Sequence, residues 1–241
     1  MNELAKSIRE RYLFTLDKIA AAARRAGRDP DAVKLVVVTK SQPLEVVRAA
    51  MEAGALILGE NYPEEGVTKI QSLQGFSAVE WHMIGHVQSR KAQIVAKNFN
   101  LIHSLDGFKL ANRLNRFAGE EGRTLPVLME FNVGGEESKS GWPASDESHW
   151  SELAGDIKSI LALPNLNVRG LMAMPPIGEN AEFSRPFFKK LVNLQEYLSS
   201  QFPPADFSEL SMGTSVDYEV AVEEGATLVR VGTAILGARN H

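Results

Sequence analysis

The sequence contains no cysteine. That excludes disulfides, thiolate metal sites and cysteine nucleophiles together, and it fits a reducing compartment. No apolar run approaches the length of a membrane span. The N-terminus alternates acids and bases and has no apolar signal core, so a cytoplasmic protein without a membrane partner is expected. Positive charge is not in surplus: 26 Lys and Arg stand against 30 Asp and Glu, which argues against a dedicated nucleic-acid binder. No glycine-rich dinucleotide fingerprint follows the first predicted strand. No low-complexity stretch or linker divides the 241 residues. That length is close to the ~250 residues of a single α/β barrel, so residues 1–241 are expected to form one domain.

What is present is a repeated alternation of short apolar runs with helical patterns. Strands are predicted over 35–38, 56–58, 81–86, 101–104, 125–133, 168–172, 207–210 and 227–231. Helices are predicted over 2–27, 44–52, 64–73, 90–96, 107–119, 147–161, 184–200 and 216–224, with a last short one opening at Gly232-Thr233-Ala234. Such alternation implies a parallel sheet with helical crossovers. Eight strands match a (β/α)8 TIM barrel with an extra N-terminal helix, and a doubly wound open sheet is the runner-up. The polar stretch from Gly134 to Ser145 reads equally as a mobile lid or an ordinary solvated loop.

The pattern is organised around Lys34-Leu35-Val36-Val37-Val38-Thr39-Lys40-Ser41-Gln42-Pro43. A buried strand runs into Lys40, and Pro43 suits the first turn of the next helix. Ligands of parallel α/β folds bind at strand C-termini. A lysine held there in a dry place can act as an amine nucleophile; the alternative is a snorkelling surface lysine. Lys40, Asn61, His86, His103, Asn132, Ser211 and Arg230 all fall at or just past a predicted strand end, and in a barrel these positions converge on one mouth.

Ser211-Met212-Gly213-Thr214 and Arg230-Val231-Gly232-Thr233-Ala234 read as a phosphate cradle. Small residues let backbone N–H groups approach an anion, and a helix start adds its dipole. The alternative is a pair of tight turns. Arg230 could pair with the phosphate or face the ring nitrogen of a bound pyridine. His82 and His86 are four apart, but they lie in a strand-like segment without a following glutamate, so no metal is expected. One of the two should line the mouth while the other is packed. No glutamate or aspartate stands out as a general base. A strand-end lysine, a late phosphate cradle and an arginine suit a phosphorylated aldehyde held as a Schiff base. Two classes stay open on these residues: a sugar-phosphate aldolase and a pyridoxal phosphate protein.

Across nearly its whole length the sequence resembles the pyridoxal phosphate homeostasis protein family, of YggS/PROSC type. The resemblance rests on Val38-Thr39-Lys40, Gly59-Glu60-Asn61-Tyr62, the run from Trp81 to Lys91, Gly135 to Gly141, Gly170-Leu171-Met172, Leu210-Ser211-Met212-Gly213 and Val229-Arg230-Val231-Gly232-Thr233. Two positions depart from the family pattern: Pro63, where an aliphatic residue is expected, and Trp142, where a smaller aromatic is usual. The family is similar in fold to the N-terminal barrel of alanine racemase. The resemblance implies that Lys40 carries pyridoxal 5'-phosphate as an internal aldimine and that Asn61 and His86 line its ring. It implies that Ser211, Gly213, Gly232 and Thr233 hold the phosphate, that Met212 belongs to the cofactor-binding set, and that Arg230 approaches the pyridine nitrogen.

Racemases add a tyrosine acid from a partner subunit's C-terminal β-domain. A chain of this length leaves no room for that domain, so the expectation is a monomeric carrier without efficient turnover. It would serve cofactor and amino-acid homeostasis, with apo-enzymes as possible recipients. The competing expectation is a weak amino-acid racemase that uses His86, His103 or Tyr62 as its second acid.

Overall fold

Runs such as Leu35–Val38 are apolar on both faces, so they must lie between other strands and a helical layer. The computed structural model, which describes residues 2–238, meets this requirement by closing the sheet on itself. Strands β1 (Lys34–Val38), β2 (Ile57–Glu60), β3 (Glu80–Met83), β4 (Leu101–Leu105) and β5 (Leu125–Asn132) pair in sequence order. Strands β7 (Leu166–Met172), β8 (Glu209–Ser211) and β9 (Leu228–Val231) continue from β5 back to β1. All these pairs are parallel, so eight strands form a closed parallel barrel. A two-residue strand, β6 (Trp142–Pro143), pairs with the end of β5 outside the ring.

Helices α2 (Leu44–Glu52), α3 (Pro63–Ser72), α4 (Ala92–Asn98), α5 (Phe108–Glu120), α6 (Ala154–Leu161), α7 (Arg185–Gln201), α8 (Tyr218–Glu223) and α9 (Thr233–Leu236) cover the strands. The additional helix α1 (Glu3–Arg25) is capped by the Asn2 side chain, which accepts from Ala5 N at 2.8 Å. Its Ala5, Ile8, Ile19, Ala22 and Ala23 are buried, and it packs on α2, α8 and α9. Arg11 donates to the Ile235 carbonyl, and Arg28, just after α1, donates to those of Val222 and Ala226. The N-terminal segment therefore fastens the seam between the first and last βα units. Among the described residues, no helix is long and apolar enough to cross a membrane.

The two faces of the strands bury different chemistry. Outward residues such as Val37, Met83, Ile102, Val127 and Val229 join the large core under the helices. Inside the barrel a small apolar cluster holds only Val36, Leu128, Met172 and Leu228, flanked by Ile57 and Leu101. By strand alternation, His82, His103, Ser211 and Arg230 share that interior, and all four are buried.

Several boundaries differ from the sequence expectation. β2 runs on through Gly59 to Glu60, so Glu60 is fully buried rather than part of the exit loop. β3 stops at Met83, which leaves Ile84, Gly85 and His86 as a loop. β8 lies at Glu209–Ser211, one to two residues later than expected. The predicted helix over 147–161 opens as a 3-10 turn, Glu147–Leu153. α8 starts only at Tyr218, because Asp217 accepts from both the N–H and the hydroxyl of Thr214 in the preceding turn. Trp142 makes β6: its ring packs 5.8 Å from Phe131, and its Nε1 donates to Asp156 at 3.1 Å.

Gly170 marks a register step. Val127 pairs with Val168, but Leu128 pairs with Gly170, so Arg169 is an extra residue in β7. With φ of 156°, Gly170 lies against the backbone of β8, where a Cβ would overlap the Glu209 carbonyl. Gly170→Ala is therefore expected to cost about 2–3 kcal/mol. Gly75→Ala, at an exposed site with open space around it, should stay within about 0.5 kcal/mol. Thermal unfolding of the two variants checks this; equal melting temperatures would refute the packing argument.

Candidate functional site

Lys40 follows the end of β1, and its backbone is held from both sides. The buried Lys69 ammonium, on α3, donates to the Thr39 carbonyl (2.6 Å), Glu60 Oε1 (2.8 Å) and Glu65 Oε1 (2.6 Å). The Thr39 hydroxyl donates to the same Glu60 oxygen at 2.6 Å. On the other side of Lys40, the Ser41 N–H donates to Glu65 Oε1 at 2.7 Å. Ser41 has φ of 56°, a left-handed conformation uncommon outside glycine. Such a residue costs on the order of 1–3 kcal/mol and persists only when its surroundings over-determine it. Here Glu65 and Lys69 do so. Burial pushes the Glu60 carboxyl above its ordinary range, and Lys69 pulls it back.

Lys40 is half-buried and faces a cavity of about 420 Å3 at the C-terminal end of the barrel. That volume lies in the range of roughly 300–1,000 Å3 typical of small-molecule sites. Lys40, Asn61, His86, Arg230, Gly232 and Thr233 all line it, together with Thr214, Ser215 and Glu130. Arg230 is nearly fully buried. Its guanidinium donates to the Ser211 carbonyl at 2.9 Å, the Ala173 carbonyl at 3.0 Å and the Ser211 hydroxyl. Burial lowers its pKa to about 10, so it remains a cation at neutral pH. His86 Nδ1 lies 2.9 Å from Asp106 and 3.3 Å from the Ser140 hydroxyl, which belongs to the 134–145 loop.

The turns after β8 and β9 meet at the cavity, tied by the Gly232 N–H, which donates to the Ser215 hydroxyl at 3.1 Å. At the start of α9 the Thr233 and Ala234 N–H groups have no intrahelical acceptor, whereas those of Ile235 and Leu236 bond the Gly232 carbonyl. Thr233, Ser215 and this backbone form the small-residue side of the cavity.

The structure thus brings together six of the nine residues expected in the site: Lys40, Asn61, His86, Arg230, Gly232 and Thr233. Ser211, Met212 and Gly213 do not line the cavity. Ser211 lies inside β8, pairing with Met172 and Leu228, and its hydroxyl is taken up by Arg230 and His103. Met212 is fully buried in the core under the helices. Gly213, at φ of 90°, packs against Tyr218 and Ala221 of α8, and its positive φ lets the chain turn there. After β8 the cavity is lined by Thr214, the last residue of the expected Ser211-Met212-Gly213-Thr214 cradle, and by Ser215, because β8 ends later than its apolar run suggests.

Of the other strand-end residues, His103 is enclosed in the barrel, and Asn132 closes its own loop by bonding Gly135 N and the Glu136 carbonyl. His82 bonds His103 and Glu80 deep in the barrel, whereas His86 is at the mouth. Pro63 sits at the first position of α3 without removing Asn61 from the cavity. Sequence reasoning missed Glu130. It lines the cavity from β5, and burial together with nearby Asp106 raises its pKa to about 7. The available signal was an acid inside the longest apolar strand, Leu125–Asn132.

The family profile for the alanine racemase N-terminal domain matches residues 15–240. Proteins described as pyridoxal phosphate homeostasis proteins are 40% identical in Vibrio alginolyticus, over 98% of this chain and 99% of that one, and 38% identical in Escherichia coli K12, over 100% and 99%. A solved structure of PipY from Synechococcus elongatus PCC7942, with PLP bound, is 34% identical at a TM-score of 0.78, covering 91% of this chain and 100% of that one. An alanine racemase from Clostridium difficile 630, at 15% identity and a TM-score of 0.67, covers 95% of this chain and 56% of its own; it shares the fold. With 40% identity to a relative covered almost end to end and a profile match over most of its length, the chain belongs to the pyridoxal phosphate homeostasis protein family.

Proposed function

We propose that this barrel binds pyridoxal 5'-phosphate in the mouth cavity, held through Lys40 as a Schiff base, and acts in cofactor and amino-acid homeostasis by storing, buffering or delivering it. The observation that carries this reading is the shared cavity of Lys40 and Arg230, closed by the small-residue turns at Thr214, Ser215, Gly232 and Thr233. The donor set fits the cofactor: a primary amine for an aldehyde, a buried cation for a ring nitrogen, and hydroxyls with first-turn N–H groups for a phosphate. The relatives' description and the PLP-bound neighbour support the same group. When bound, the cofactor supplies an aldehyde carbon that condenses with primary amines and a ring that withdraws electrons.

The protein's own residues then have separate tasks. The Lys69 cluster fixes the backbone on both sides of Lys40 and so aims its amine into the cavity. Arg230, a cation at neutral pH, would leave a facing ring nitrogen unprotonated and so weaken the electron sink. Asn61 and His86 border the ring side. Among the expected second acids of a racemase, His103 is enclosed in the barrel and Tyr62 does not line the cavity, so only His86 remains in reach.

Purified protein given pyridoxal phosphate should turn yellow. Borohydride reduction should fix a mass adduct on the peptide carrying Lys40, and Lys40→Ala should show neither colour nor adduct. A wild type that stays colourless with excess cofactor would sink the reading. Robust interconversion of an amino acid's enantiomers, lost in Lys40→Ala, would replace the carrier with a racemase.

Glu130 adds a pH dependence. Its folded carboxyl titrates near 7, above its ordinary value, so between those pH values the folded state holds a proton that the unfolded chain has lost. Stability falls as pH rises across that window. Glu130→Gln should therefore flatten the decline in melting temperature between pH 5 and pH 8 and be the more stable protein at pH 8, by at most about 3 kcal/mol. Parallel pH curves for wild type and variant would contradict this.

A further inference from the structure

The interior of the barrel carries a chain of contacts that the cofactor site does not explain. Arg230 donates to the Ser211 hydroxyl. Ser211 Oγ is 2.7 Å from His103 Nδ1, His103 Nε2 is 3.0 Å from His82 Nδ1, and His82 Nε2 is 3.3 Å from Glu80 Oε2. Ser211, His103 and His82 are buried, whereas Glu80 reaches solvent at the opposite end of the barrel. The path runs from the floor of the cavity to the N-terminal face.

Its direction is set by its two ends. A guanidinium has only donors, so the Ser211 oxygen accepts from Arg230 and its own proton must go elsewhere. The remaining neighbour is His103 Nδ1, which then accepts. A neutral imidazole that accepts at Nδ1 carries its proton on Nε2, and this proton points at His82 Nδ1. The same logic puts the proton of His82 on Nε2, facing a carboxylate that can only accept. Reversing the chain would set an unprotonated His82 nitrogen against the Glu80 carboxylate and leave the Ser211 proton without an acceptor. Protonating either histidine would put a second buried cation in the barrel with Arg230. Burial lowers the pKa of both rings, and the neighbouring charges lower that of His103 further.

We propose that the one-way chain Arg230→Ser211→His103→His82→Glu80 holds the guanidinium on the cavity floor, which makes Ser211, His103 and His82 positioning residues for the bound ring. Arg230 lines the same cavity as Glu130, whose charge draws the guanidinium upward against its bonds to the Ser211 and Ala173 carbonyls. The chain opposes this with a hydroxyl oriented from below. Because both histidines stay neutral, it does so without adding positive charge under the cavity. This role rests on the cofactor reading above, but the chain itself can be observed without cofactor.

The first measurement is nitrogen-15 NMR of the histidine rings in cofactor-free protein at pH 7. The expected result is His82 and His103 both neutral, with protons on Nε2 and bonded Nδ1 acceptors. In Ser211→Ala the His103 Nδ1 signal should move to the position of an unbonded acceptor. A proton on Nδ1 of either ring, or a cationic ring, overturns the chain. The second measurement uses pyridoxal phosphate as the probe. Ser211→Ala should weaken its binding at least about fivefold and displace the visible absorption maximum, and Ser211→Thr, which keeps the hydroxyl, should restore both. Val36→Ala, in the same interior, should lower the melting temperature and leave the absorption maximum in place. Wild-type binding and spectrum in Ser211→Ala overturn the positioning role. A wild type that takes up no cofactor sinks the cofactor reading instead, and the ring tautomers still decide whether the chain exists.

Discussion

A buried ammonium at Lys69 sets the geometry on which the site depends. Its three donors meet three acceptors, Thr39 O, Glu60 Oε1 and Glu65 Oε1, so the charge is fully satisfied away from water. Buried ion pairs are weak sources of net stability, but removing one partner leaves a stranded charge. The consequence here is geometric. β1, β2 and α3 are fixed at one point, and the residue between Thr39 and Ser41 has its backbone held from both sides. The left-handed turn at Ser41 is maintained by the same oxygen of Glu65 that binds Lys69.

The barrel interior follows a related rule. Branched aliphatic side chains ordinarily fill such barrels, yet the apolar cluster here is small and shares the space with His82, His103, Ser211 and Arg230. Placed polar groups cost desolvation and offset it only when every partner is present. The apolar burial that stabilises the fold lies instead outside the strands, under the helices, where the larger core is continuous. Dividing the work this way lets the inner face hold charge at fixed depths.

The strand order, Lys40 and Arg230 could be read from the sequence because each rests on local pattern: an apolar run with a polar residue at or near its end. What escaped has a physical reason in each case. Glu65 and Lys69 form an i,i+4 pair, a spacing that usually marks a solvated helix face; the burial of Lys69 goes with Glu60, nine residues before it, whose strand runs two residues past its apolar stretch. Ser211 was expected at the mouth, but β8 includes it, and its alternate position in the strand turns the side chain into the barrel. The contact between His82 and His103 joins neighbouring strands β3 and β4, and no single-strand pattern announces it. The Gly213 turn was legible as a turn, while the residues it presents to the cavity were one and two positions further on.

Register connects the two ends of the site. β1 and β9 are paired so that Val36 lies beside Arg230. Lys40 is four residues beyond Val36 and two beyond the end of β1, so its backbone stands nearer the C-terminal rim than that of Arg230. The guanidinium therefore belongs to the floor and the lysine to the rim, and the cavity that both line lies between them. A slip of one residue between these strands would turn Arg230 into the outer apolar layer and leave the cavity without its cation. The paired apolar residues on the outer face, Val37 against Val231 and Leu35 against Val229, forbid that slip. The same helix-facing burial that stabilises the barrel thus fixes how far the amine stands from the cation.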